Sequence, residues 1–453
     1  MGLGVILILR SLWKKTGWNL QLFDKAALGT LGIFLLGAVS WVTLYIFLAV
    51  ALGTYFGLAL ILRKPPAKRF KYLFVLIPLQ LLPLAYYKYA DFLGNGVLGL
   101  DLDFVRHLAI PVGISFYTFQ KVAFVVDTLH FQKPLPRFLD YLIFASFFPQ
   151  IVAGPIERRE SLLPQMEAFQ FRWLPQSIDQ GIGWIVLGFF FKCGLADNLA
   201  LYFDPASQTN AYLIWFANLL FGLRIYYDFA GYSLIALGIA HCFGVQLTLN
   251  FASPYTATNA TDFWRRWHIT LSQWFRDYLY IPLGGARVRW WAFNVLLVFC
   301  VSGIWHGAGW NFLIWGGIHG TLLIVHRIGG KRIRLPRVIG WIATMIAVFA
   351  AWLSFYELRP EVLMRKFATL ATPAAYNASA LREALARWFG PDLLILVTIL
   401  FITLVVLIVE WRSVAGKESP YRLLLIPKVL VVLVIATILL APGRQNEFIY
   451  FAF

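Results

Sequence analysis

FWRRWHITLSQWFRDYLYIPLGG (Phe263–Gly285), followed after an apolar run by SGIWHGAGWNFLIWGGIHG (Ser302–Gly320), is the stretch on which the reading of this chain turns. Three of the seven histidines lie in it: His268, His306 and His319. On both sides the sequence is dominated by long apolar runs. With 453 residues, 60% hydrophobic and 13% charged, and a mean hydropathy of +0.70, the chain is far less charged than a soluble domain, in which about one residue in four carries charge. It reads as an all-α, polytopic integral membrane protein. At roughly 20 apolar residues per span, the runs predict about 10–12 membrane helices. In such a solvent an ionisable side chain is costly and marks function.

The formal charge of +17 is not a nucleic-acid signal. The basic residues sit in short loops between apolar runs, as they do on the cytoplasmic side of membrane proteins. Arg63, Lys64, Lys68, Arg69 and Lys71 mark one such loop, whereas Asp91, Asp101 and Asp103 mark the opposite side. Residues 26–62 read as a tight helical hairpin. Further spans are expected at about 71–90, 104–127, 178–200, 211–229, 230–245, 336–356, 392–411 and 425–442. Residues 138–156, broken by Pro149, Gly154 and Pro155, read as a re-entrant, cavity-lining segment. The polar residues 157–172 read as a loop. Apolar residues precede Arg10, Lys14 and Lys15, the reverse of a secretory signal. Cys193, Cys242 and Cys300 are isolated and form no metal or redox pattern. The chain reads as a single domain, 1–453, with variable N-terminal helices (1–80), a core carrying the motifs (85–330) and C-terminal helices (331–453).

Within the opening stretch, Trp264, Trp267, Leu271, Trp274, Phe275 and Tyr278 recur at steps of three and four. This predicts one amphipathic helix at the membrane surface or in a cytoplasmic mouth. Asn259 with Asp262 resembles a capping box, and Pro282 with Gly284 and Gly285 ends the helix. Residues 290–327 predict a hairpin turning near Gly303–Gly309, with His306 deep inside. Small neighbours, Gly303, Gly307, Ala308 and Gly309, allow close approach of backbone or a thin substrate, and Trp305 and Trp310 supply flat walls. A neutral imidazole in such a place is suited to taking a proton near pH 7. His306 is therefore the candidate catalytic base. His268 is its candidate support, with Arg265 and Arg266 lowering its pKa by like charge. His319 reads as a packing residue, and His107, His130, His241 and His326 as interfacial ones. Arg224 and Asp228, at i and i+4, are expected to neutralise each other. Asp228, Asp262 and Asp277 are the carboxylates available to orient a histidine. No metal-ligand spacing, nucleotide loop or nucleophile elbow is present. A transporter or flippase without chemistry would share the spans and the Trp-lined cavities, but the chain shows no repeat symmetry between halves.

PVGISFYTFQ (Pro111–Gln120), FFPQIVAGPIER (Phe147–Arg158), FKCGLADNLA (Phe191–Ala200), YYDFAGYSLIALGIAHCFGVQL (Tyr226–Leu247), DFWRRWHITLSQWFRDYLYIPLGG (Asp262–Gly285), GIWHGAGWNFLIWGGIHG (Gly303–Gly320) and EFIYFAF (Glu447–Phe453) together resemble the membrane-bound O-acyltransferase (MBOAT) family. The likeness is to its bacterial branch, typified by the alginate O-acetyltransferase membrane subunit. The resemblance implies a ring of tilted helices around a tunnel, with the catalytic histidine at His306 and the second family position at His268. It implies cytosolic acetyl-CoA as donor and no tightly bound cofactor or metal. It also implies a multi-pass place in the bacterial cytoplasmic (inner) membrane, and an extracytoplasmic SGNH-type partner that acetylates an alginate-like polysaccharide or peptidoglycan. A sister branch moves D-alanine to teichoic acid instead. On this reading Arg265, Arg266, Arg276, Arg287 and Arg289 are candidates for the CoA phosphates at the cytoplasmic rim, and Trp305 lines the tunnel.

Overall fold

The computed structural model describes residues 2–106, 108–205, 208–330, 335–388, 393–443 and 448, with side chains from residue 8 onward. His107, Lys331, Arg332, Arg334 and, Phe448 apart, the closing EFIYFAF motif lie outside the described residues. The protein is all-α and polytopic, with no strand among the described residues. Seven of the described helices are long and apolar enough to cross a membrane: Leu20–Val39, Trp41–Ile61, Pro66–Tyr89, Pro175–Leu201, Trp310–Gly329, Arg337–Tyr356 and Leu393–Ala415. Trp291–His306 and Pro427–Leu440 are apolar but shorter. The expected 10–12 spans exceed this number partly because several apolar runs form short helices. Helix Ile114–Leu129, for example, has 16 residues. Contacts divide the chain into two compact units, Met1–Ile182 with Ala236–Thr248, and Gly183–Ile235 with Leu249–Phe453.

In the first unit, the long apolar run 26–62 breaks at Ser40. Its backbone is extended, and its hydroxyl accepts the Thr43 N–H that opens the second helix. This cap is the physical reason for two helices instead of one. Gly113, at φ +73°, turns the chain into helix Ile114–Leu129, which starts ten residues later than the sequence predicts. Almost every side chain of that helix is buried. The segment 138–156 is broken as expected, into short helices Phe138–Ala145 and Phe148–Ile151. The expected loop 157–172 contains helix Arg159–Glu167. Ion pairs hold this unit together. Lys25 meets Asp140 at 2.6 Å and Arg10 meets Asp24 at 2.6 Å, while Arg10 also donates to the Phe171 carbonyl at 2.8 Å. Each cation enters apolar surroundings only with a partner in place.

In the second unit, two sequence expectations give way and a third gains a partner. The two spans expected at 211–229 and 230–245 belong to one 32-residue helix, Ala211–Cys242. Gly231 lies inside that helix. A Cβ there would stand 2.8 Å from the Gly188 carbonyl oxygen, so the glycine allows a neighbouring helix to touch its backbone. Asp228 meets Lys192 at 2.6 Å besides attracting Arg224, and Lys192 also meets Asp197 at 2.7 Å. Lys192 lies on the π-helical turn Phe190–Ala196. Finally, the amphipathic stretch is not continuous. It forms Ala260–Arg266 and Ile269–Phe275, separated at Trp267 and His268. The helical hydrogen bonds lost there are replaced by the chain Asn250–Ala252. The Ala252 N–H donates to the Arg266 carbonyl, and the Ile269 N–H to the Asn250 carbonyl. The predicted start and stop hold. Asn259 accepts from the Asp262 N–H at 2.8 Å, and Gly284 and Gly285 adopt positive φ after Pro282.

Candidate active site

His306 is the last residue of helix Trp291–His306, and the short link Gly307–Gly309 leads into helix Trp310–Gly329. Glycine makes the pairing of these helices possible. A Cβ on Gly303 would stand 2.1 Å from the Phe312 carbonyl oxygen, and one on Gly316 would stand 2.2 Å from that of Phe299. The two backbones are therefore in direct contact, as small residues permit in membranes. The hairpin buries His306 to 3% exposure. Its ring stands edge-on to Trp305 and Trp315, with centroids 5.0 Å away in both cases, and to Phe355 at 5.3 Å.

His268 comes from the break in the amphipathic stretch. Its backbone is left-handed, φ 42° and ψ 56°, a conformation that costs a non-glycine residue about 1 kcal/mol or more. Asn250 holds it there. The Asn250 side-chain oxygen receives the Thr270 N–H at 3.2 Å and the Thr270 hydroxyl at 2.9 Å, and lies 3.2 Å from His268 Nδ1. A backbone N–H can only donate, so the Asn250 atom facing it is the oxygen, and His268 Nδ1 must carry the proton. The network thereby assigns the tautomer and leaves the Nε2 lone pair as an acceptor. His268 is fully buried, and burial pushes its pKa down to about 3, so the ring is neutral at ordinary pH.

The structure brings the two histidines together. Their ring centroids lie 6.5 Å apart, with Trp305 6.0 Å from His268 and Phe229 4.7 Å from it. This corrects the expected place of His268 at an open mouth. It also corrects the reason for its low pKa, which is loss of water and not the neighbouring arginines. The arginines are elsewhere. Arg265 is exposed, Arg266 is engaged by Asp262 at 2.8 Å and by the Ala252 carbonyl, and Arg276 pairs with Asp277 at 2.7 Å on the exposed side. None of the three bonds to a histidine among the described residues. Because Asp228, Asp262 and Asp277 each face a cation, the residue that orients His268 is the neutral Asn250. Sequence reasoning missed Asn250, Trp315 and Phe355. Asn250 is a lone amide between Leu249 and Phe251, with no spacing signal to link it to a histidine 18 residues on.

His319 packs as expected, against Trp315 at 4.8 Å, Trp264 at 5.0 Å and, in parallel, Phe263 at 6.1 Å. Among the described residues no group of three His, Cys, Asp or Glu side chains is placed to hold a metal. The arrangement thus offers two buried imidazoles in an aromatic enclosure, one of them locked in a defined tautomer. Such a pair can accept a proton from a hydroxyl and hold the resulting geometry without a metal ligand set.

Comparison with known sequences bears on what such a site does. Residues 39–364 match the MBOAT, membrane-bound O-acyltransferase family. A peptidoglycan O-acetyltransferase of Helicobacter pylori is 38% identical over 311 residues, 60% of this chain and 59% of that protein. A probable alginate O-acetylase AlgI of Azotobacter vinelandii is 34% identical over 341 residues, 71% of this chain and 66% of that protein. A teichoic acid D-alanyltransferase of Bacillus subtilis is 32% identical over 245 residues, 49% of this chain and 60% of that protein. The chain thus spans about three fifths to two thirds of the length of these curated relatives. The match covers well over half of the chain and includes both histidines, and the chain belongs to the membrane-bound O-acyltransferase family.

Proposed function

We propose that the protein is a membrane O-acyltransferase that takes an acetyl group from cytosolic acetyl-CoA and passes it across the bacterial cytoplasmic membrane for O-acetylation of a cell-surface polysaccharide. The observation that carries this reading is the buried pair His306 and His268, 6.5 Å apart between ring centroids and walled by Trp305, Trp315 and Phe355. The names of the relatives, a peptidoglycan O-acetyltransferase and alginate O-acetylases, support the acyl group and the acceptor class. An SGNH-type extracytoplasmic partner would complete the route to the glycan.

An acyl thioester is already electrophilic, so the enzyme's task is to activate the acceptor. His306 takes the proton of the incoming hydroxyl as its oxygen attacks the carbonyl carbon. As the tetrahedral centre collapses, the carbon–sulfur bond breaks and the imidazolium returns the proton to the departing thiolate. His268, neutral and held through Nδ1 by Asn250, orients rather than exchanges protons. The test is His306→Ala in purified protein given labelled acetyl-CoA. Release of free CoA should fall by about 10²- to 10⁴-fold, while the variant inserts and accumulates normally. Unchanged release would remove His306 from the chemistry.

The likeness to a teichoic acid D-alanyltransferase favours a second reading, transfer of D-alanine from a carrier-protein thioester. Acyl release from a D-alanyl carrier, with none from acetyl-CoA, would decide for it.

A further inference from the structure

Within the second unit, a buried acid that the proton transfer does not use lies behind the break carrying His268. Glu410 is on helix Leu393–Ala415, one of the helices long and apolar enough to cross a membrane, and it is fully buried. The Tyr226 hydroxyl lies 2.9 and 3.1 Å from its two carboxyl oxygens, and the Tyr421 hydroxyl lies 3.2 Å from that of Tyr226. Both tyrosines are buried as completely. The groups facing the carboxyl are Tyr226, Tyr227, Tyr421 and Ser253, and each is neutral at ordinary pH. No cation meets it among the described residues, and Lys192 is taken by Asp197 and Asp228. A carboxylate so deep, with phenols in place of a counter-charge, is costly. A neutral acid fits. Its O–H donates to the Tyr226 oxygen, and the Tyr226 O–H passes on to the Tyr421 oxygen.

This cluster backs the segment that sets His268. The Ser253 side chain borders the Glu410 carboxyl, and its N–H borders the Tyr421 oxygen. Ser253 has φ 50° and His268 φ 42°, and among the described residues these two are the buried non-glycine positions with left-handed backbone. Each costs about 1 kcal/mol or more, so packing must hold it. Just before Ser253 stand Asn250, whose amide oxygen faces His268 Nδ1, and Ala252, whose N–H donates to the Arg266 carbonyl. The Tyr226 ring lies against both flanks of the site. Its centroid is 6.0 Å from that of Phe251, next to Asn250, and 6.2 Å from that of Trp267, next to His268. Anchoring the Tyr226 hydroxyl on Glu410 therefore fixes the ring on which both strained stretches lean.

We infer that Glu410 is an uncharged positioning residue, which through Tyr226 and Tyr421 braces the Asn250–Ser253 segment and so holds His268 in its place and tautomer. The inference rests on the reading of His268 as the orienting histidine of the site. The experiment uses the full chain in phosphatidylcholine nanodiscs. Solid-state NMR with isotope-labelled histidine, assigned through His268→Gln, reads the His268 Nδ1–H signal, and CoA release from labelled acetyl-CoA reads turnover. Glu410→Leu should shift or broaden the His268 signal and lower kcat by about 10²-fold with KM unchanged. Glu410→Gln keeps an acceptor and an N–H donor, so it should retain the wild-type signal and most of the turnover. If Glu410→Leu fails to accumulate, Tyr226→Phe, which deletes a single oxygen, takes its place and should produce the same changes. A His268 signal unmoved in these variants, or a lower thermal midpoint with kcat intact, would overturn the assignment. So would Glu410→Gln as impaired as Glu410→Leu, which is the mark of a carboxylate acting by charge. Should the wild type release no CoA, the reading of the site fails, while the His268 signal still decides this inference.

Discussion

Replacing Asn250 with leucine should unseat His268 without touching either imidazole. The side-chain oxygen of Asn250 serves the Thr270 N–H, the Thr270 hydroxyl and His268 Nδ1, all within 3.2 Å and all in a buried setting. The Thr270 hydroxyl can rotate towards another acceptor. The two N–H groups are held by their frames, and an unsatisfied buried donor costs about 1–3 kcal/mol. The expected loss is therefore about 2–6 kcal/mol, a large share of a typical stability of about 5–15 kcal/mol. Part of it should appear as release of His268 from its left-handed backbone, which nothing local favours. Thermal unfolding of the detergent-solubilised protein, followed by tryptophan fluorescence, should show a clear drop in midpoint. CoA release should fall along with it. Asn250→Asp keeps the acceptor geometry, so it should restore most of the stability and draw His268 towards its charged form through the adjacent carboxylate. A leucine variant that melts with wild type and turns over at the wild-type rate would refute the claim that Asn250 sets this histidine.

Burial holds the His268 pKa at about 3 against an ordinary value of 6.5, so below pH 6.5 the unfolded chain binds a proton that the folded chain refuses. The contribution of this residue is complete above that pH and shrinks by about 2 kcal/mol at pH 5, a part of the slope that His268→Gln should remove. Gly303→Ala and Gly316→Ala force a Cβ to within 2.1 and 2.2 Å of facing carbonyl oxygens. They should cost about 1–3 kcal/mol or more and lower accumulation, whereas Gly317→Ala, with open space around it, should accumulate normally in the same expression assay. Lys192→Met leaves the nearly buried Asp197 and Asp228 without the ammonium between them. It should destabilise by about 3–5 kcal/mol, and adding Asp197→Asn and Asp228→Asn should recover part of the loss in a melting experiment.

Apolar run length and loop charge are local properties, and they placed much of this fold in the sequence itself. Helices near 71–90, 336–356, 392–411 and 425–442, the break inside 138–156 and the turn at Gly307–Gly309 all follow from them. So does the choice of His306, because a histidine among glycines and tryptophans in an apolar helix is conspicuous by composition. What failed were statements that required knowing which distant segment packs alongside. Residues 211–245 were divided into two spans, because the role of Gly231, contact with Gly188, exists only once two helices pack. The periodicity of Trp264 to Tyr278 is helical throughout, but Asn250–Ala252 supplies alternative hydrogen bonds at Trp267 and His268 and breaks the helix there. Spacing placed Asp228 beside Arg224, and only folding added its contact with Lys192. The sequence alone determined a membrane protein with a buried histidine in a glycine-rich hairpin. Only the tertiary structure decided that His268 is its buried companion and that an amide orients it, because hydrogen bonds and loss of water are made between segments far apart in the chain.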